Sequence, residues 1–82
     1  MKPTQHPSCN DVLGAPKGWD QQGPLPCSAL AITRHEFDEL PVISSFWRPS
    51  AAELAALNTG SMVMVTVVGT THPPLLFQVT AE

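Results

Sequence analysis

The stretch from Trp47 to Gly69 constrains this chain most. It reads Trp47-Arg48-Pro49-Ser50-Ala51-Ala52-Glu53-Leu54-Ala55-Ala56-Leu57-Asn58-Thr59-Gly60, followed by Ser61-Met62-Val63-Met64-Val65-Thr66-Val67-Val68-Gly69. Ser50 and Glu53 have capping-box spacing, in which the hydroxyl accepts from the amide three residues on and the carboxylate reaches back to the cap amide. Gly60 stands where a left-handed helix stop costs least. The spacing predicts a helix over Ala51 to Asn58, with Leu54 and Leu57 on one face. Two turns are too few to hold by propensity, so packing is expected to hold them.

The apolar run after the helix predicts a strand. Val63, Val65 and Val67 fall on one face and Met62, Met64, Thr66 and Val68 on the other. Both faces are largely apolar, so both need cover. Gly69 to Pro74 reads as a turn, and Leu75 to Thr80 as a last strand with Leu75, Phe77 and Val79 inward. Upstream, residues 29–34 and Pro41 to Trp47 read as two more strands. The acidic run Glu36-Phe37-Asp38-Glu39 lies between them as a turn or hairpin loop.

Residues 1–28 hold five of the nine prolines and three of the five glycines. Proline removes amide donors and glycine favours turns, so this segment reads as loop. Val12, Leu13, Trp19 and Leu25 give it apolar side chains to pack on the body. The expected architecture is therefore α+β: an antiparallel sheet of about four strands with one short helix, in the order ββαββ. A Pro/Gly-rich arm (1–28) packs on a domain over 29–82, and the helix covers one face of the sheet. The arm or a second copy covers the Met62/Met64/Val68 side, and a homo-oligomer is expected because so short a chain buries a limited core.

Charge narrows the partners. Four Lys and Arg and a net charge of −3 provide too little positive charge for a phosphate-backbone footprint, so nucleic acid is not an expected partner. No run of about eighteen apolar residues exists to span a membrane, and Met1 to Pro7 lacks the apolar stretch of a signal peptide. The expected compartment is the cytoplasm, where Cys9 and Cys27 are expected as reduced thiols, with a Cys9–Cys27 disulfide closing a loop of ordinary size as the alternative.

Catalytic and metal chemistry find little purchase. His6, Cys9, Cys27, His35 and His72 are zinc-ligand types, but no CxxC or HxxxH spacing organises them, and no metal or cofactor is expected. Cys27 with His35 or His72 lacks an environment that would lower the thiol pKa. Ser44 and Ser45 lack a glycine elbow. Glu36, Asp38 and Glu39 read as a solvated turn, and Gly14 to Trp19 is not a phosphate loop. The expectation is a protein that is not an enzyme.

Ligand binding has a better chemical basis. Trp47 offers an indole for stacking, and Arg48 precedes a helix N-terminus whose amides suit an anion. Lys17, Trp19 and His72 supply further groups around a base and its phosphates. These five residues form the expected nucleotide site. The plainer reading makes Trp47 core or interface and Arg48 and His72 ordinary surface residues.

The pattern Cys9, Gly14-Ala15-Pro16, Trp19-Asp20, Cys27, then Trp47-Arg48-Pro49-Ser50, Glu53-Leu54, Leu57, Gly60, then Gly69 and His72-Pro73-Pro74 resembles small uncharacterised proteins encoded by bacteriophages and prophages. The resemblance covers most of the chain from Cys9 onward and carries over no catalytic residue. It implies a viral accessory context in the host cytoplasm, with counter-defence by sequestering a nucleotide signal or by binding a host protein. Combined with the residues above, the leading expectation is a non-enzymatic phage accessory protein. It would hold a small signalling nucleotide at an oligomer interface. A protein-binding inhibitor or structural accessory protein is the alternative, and a zinc-supported module the third.

Overall fold

The computed structural model describes residues 1–80 as a small α+β protein with antiparallel sheets and one short helix. Five strands precede the helix: β1 (Lys2–Thr4), β2 (Asp11–Leu13), β3 (Leu30–Phe37), β4 (Leu40–Ser44) and β5 (Phe46–Arg48), then α1 (Ala51–Asn58). They form a two-stranded sheet of β1 with β5 and a three-stranded sheet in the order β2-β3-β4. The ββαββ order is thus replaced by five strands and a terminal helix, in two sheets instead of one.

β3 and β4 make a hairpin in which Phe37 faces Leu40, His35 faces Val42 and Thr33 faces Ser44. The two turn residues Asp38 and Glu39 both have positive φ, 52° and 66°. That is the backbone a two-residue hairpin needs, because its twist matches the flanking strands. The expected loop is therefore shorter than the acidic run, and Glu36 and Phe37 belong to β3. The expected second strand, Pro41 to Trp47, divides at Ser45. Its first part stays with β3, and its second part turns away to meet the N-terminus.

The Pro/Gly-rich arm contributes strands as well as loop. β1 pairs antiparallel with β5, and β2 with β3. Side chains extend this second ladder. Asn10 donates through Nδ2 to the Arg34 carbonyl at 3.0 Å and accepts from the Arg34 amide at 2.7 Å, as a strand backbone would. Arg34 Nε reaches Asp11 Oδ2 at 2.6 Å. His6 stacks on Phe46 with ring centroids 4.0 Å apart. Its Nδ1 meets Ser8 Oγ at 2.8 Å, and Ser8 Oγ meets Thr33 Oγ1 at 2.7 Å, which ties the arm to both sheets. Proline and glycine frequency missed these strands because each is only three residues long, and the β2 ladder is extended by the Asn10 side chain rather than by further strand residues.

The helix has the expected limits and caps. Glu53 N donates to Ser50 Oγ at 3.1 Å and Ser50 N to Glu53 Oε1 at 2.8 Å. At the other end Gly60 has φ 97°, its amide donates to the Leu57 carbonyl, and the Ser61 amide donates to the Ala56 carbonyl. This paired bonding is a Schellman stop. No residue of α1 is buried, so the helix does not cover a sheet face, and its caps hold it where packing was expected to.

Among the described residues only Ile32 is fully buried, near the start of β3, the middle strand of the three-stranded sheet. The two C-terminal strands expected over Ser61 to Val68 and Leu75 to Thr80 do not form; residues 61–80 adopt neither helix nor strand and are all exposed. Alternation of side chains sets which residues share a face, but a strand also needs a neighbour to take its amides and carbonyls. Met62 and Met64 are 93% and 87% exposed, against 52% for Val63 and 42% for Val65. Over these four residues exposure alternates with a period of two, without a ladder.

Candidate functional site

The sequence leads from β5 through Pro49 into the capped N-terminus of α1, while β1 lies along β5. Between them is a groove of about 760 Å³ lined by residues 1–5 and by Arg48, Pro49, Ser50 and Glu53. Its volume falls within the range of small-molecule sites, roughly 300–1,000 Å³.

Lys2 stands directly opposite Arg48 in the antiparallel ladder, and both line the groove. Like charges directly opposite one another destabilise a strand pair. Among the described residues the two salt bridges are Arg34 with Asp11 and the Met1 α-amino group with Glu53, so neither Lys2 nor Arg48 is neutralised by a carboxylate. The Met1 amine lies 2.6 Å from each Glu53 carboxylate oxygen. That contact, with the Ser50 amide, holds the Glu53 carboxyl down to about 2. With Glu53 engaged by the amine and the cap, Lys2 and Arg48 give the groove its uncompensated positive charge, on a chain whose net charge is −3.

The cap occupies part of the helix end. Ser50 Oγ accepts from Glu53 N, and the Ser50 carbonyl accepts from Leu54 N at 2.8 Å. The first-turn amides of Ala51 and Ala52 lie outside the capping box. They point along the helix axis, where the dipole favours negative charge.

The five expected site residues do not converge. Arg48 lines the groove. Trp47, its neighbour in β5, alternates to the other face opposite Pro3, where its indole Nε1 donates to Ser45 Oγ at 2.8 Å and 48% of the residue is exposed. Trp19 belongs to a separate cavity of about 360 Å³ beside Gly18, Pro24, Leu25 and Val68, and its Nε1 donates to the Leu25 carbonyl at 2.8 Å. Lys17 is exposed in the turn leading to Trp19. His72 is exposed and its Nδ1 pairs with the Pro73 carbonyl at 2.8 Å.

Lys2 is the groove residue that sequence reasoning missed. Nothing local marks it, because its role comes from a strand pairing between the two ends of a long connection. The His6–Ser8 pair is likewise new. The His6 ring is stacked on Phe46 and its Nε2 is buried without a hydrogen-bond partner, so the pair fastens the arm. Among the described residues no group of three His, Cys, Asp or Glu side chains could hold a metal ion, and Cys9 and Cys27 are free thiols. No helix among them is long and apolar enough to cross a membrane. Comparison with protein-family models, with curated proteins and with solved structures matches this chain to none of them.

Proposed function

We propose that this chain is a non-enzymatic binding protein, a phage accessory protein acting in the host cytoplasm, that sequesters a small phosphate-bearing signal such as a nucleotide. The observation that carries the reading is the Lys2–Arg48 pair: two cations opposed across a ladder, without a carboxylate partner, lining a groove beside a helix N-terminus. An anion between them turns a repulsive pair into an attractive one. Arg48 offers a planar fork for two phosphate oxygens and Lys2 a point charge. The groove is built from one chain, so the ligand site is proposed within a protomer, where the sequence had suggested a subunit interface.

The test is calorimetric titration with cyclic dinucleotides, ADP-ribose and inorganic pyrophosphate. Binding by at least one is expected, weakened about tenfold or more by Arg48→Ala, since a charge-assisted hydrogen bond contributes about 1.5–3 kcal/mol. Binding that survives both Arg48→Ala and Lys2→Ala rejects the groove. The exposed apolar side chains Leu75, Leu76, Phe77 and Val79 favour a second reading, a protein-binding inhibitor of a host factor. Absence of nucleotide binding together with stoichiometric capture of one host protein selects that reading.

A further inference from the structure

Two parts of this chain lack a neighbour that their chemistry calls for. The first is the outer edge of β4, which has β3 on one side only. A two-residue hairpin makes Phe37 and Leu40 the closing hydrogen-bonded pair, so the backbone groups of Pro41 and Ile43 point away from β3. Proline costs nothing there, but Ile43 presents an open amide and carbonyl. Edge strands are usually protected by charge, a bulge or a cover. Leu40-Pro41-Val42-Ile43-Ser44 has Pro41 alone, and Leu40 and Ile43 are more than half exposed.

The second part is Met62 to Val68, apolar on both faces and without charge. It follows the helix stop and has no ladder. The two parts complement each other. β4 exposes Leu40 on one face of the sheet and Ile43 on the other, and a strand laid beside it needs apolar residues on both faces.

The exposed surface is large enough for a second chain to provide the match. The single chain exposes 7222 Å², whereas a folded monomer of 8.8 kDa exposes about 4,800 Å². The excess, about 2,400 Å² per chain, exceeds the roughly 800 Å² that each partner contributes to a standard interface and falls in the range of obligate homodimers. The radius of gyration agrees: 14.6 Å, against about 12 Å for a compact chain of this length.

We infer that two copies exchange C-terminal segments, residues 62–68 of each chain adding as a strand to the free edge of β4 in the other. The exchange extends the three-stranded sheet, covers Met62 and Met64, and gives the open Ile43 backbone a partner. It is independent of the groove at Lys2 and Arg48, which lies on the other sheet.

The experiment uses the full chain. Sedimentation equilibrium at micromolar concentration is expected to show a species of twice the chain mass. In a dimer assembled from isotope-labelled and unlabelled copies, isotope-filtered NOEs are expected between residues 62–68 of one chain and 40–44 of the other. Val65→Lys is expected to weaken association by at least about a hundredfold, since it buries an unpaired charge in the interface. A wild-type monomer, a dimer whose intermolecular NOEs lie elsewhere, or contacts between these segments only within one chain would overturn the inference.

Discussion

Lys2 and Arg48 face one another across the β1–β5 ladder, two cations in register on strands of three residues each. The ladder holds this pair together against its own repulsion, and that repulsion makes it testable without knowing the ligand. Arg48→Glu turns the pair into an attractive one. The ligand-free protein is then expected to gain about 0.2–1 kcal/mol in thermal unfolding. The same variant is expected to abolish binding of any anion in the groove. A variant that loses stability shows that Arg48 supports the fold.

The two ends of α1 are expected to respond separately. Ser50→Ala removes the hydroxyl that accepts from Glu53 N and should cost about 1 kcal/mol. Gly60→Val forces a β-branched residue to a φ of 97° and should cost about 1–3 kcal/mol. Chemical denaturation of both variants and the double variant measures these costs. An unchanged midpoint for Gly60→Val shows that the Schellman stop contributes nothing.

Stability is expected to fall in acid partly through Glu53. Its folded-state pKa, about 2, lies below the ordinary 4.5, so its contribution is complete above about pH 4.5 and is lost as pH falls toward 2. Asp11, lowered chiefly by its hydrogen bond from Arg34, has the same sign. Melting temperatures between pH 7 and pH 2 should drop less steeply in Glu53→Gln than in the wild type. Parallel curves remove Glu53 from the explanation.

The β3–β4 turn stores a removable cost. Asp38 and Glu39 both adopt positive φ, which non-glycine residues resist by roughly 1–2 kcal/mol. Glu39→Gly creates the Asp-Gly sequence that such turns favour and should stabilise the hairpin by about 1 kcal/mol, or 4–8 °C in melting temperature. A decrease in melting temperature means that the Glu39 side chain makes a stabilising contact that outweighs the backbone cost.

The helix was legible because its determinants are local. Ser50, Glu53 and Gly60 act within a few residues of Ala51 to Asn58, so spacing alone set its limits. The hairpin strands were legible for the same reason, although Ser45 as a break was not: nothing in Val42 to Trp47 says that Phe46 to Arg48 will pair with the N-terminus. Composition concealed β1 and β2, since proline and glycine frequency averages over strands three residues long.

The candidate site divides along the same line. Arg48 was legible from its place before a helix cap. Lys2 was not, because its position depends on a register between two distant segments. Trp47 was linked to Arg48 by adjacency, yet adjacent residues in a strand face opposite ways. For residues 61–80 the sequence determined the side-chain alternation, a property of one chain's covalent geometry. Whether an alternating segment becomes a strand was left to tertiary structure. A strand exists only when another backbone accepts its hydrogen bonds, and within one copy of this chain Met62 to Val68 finds none.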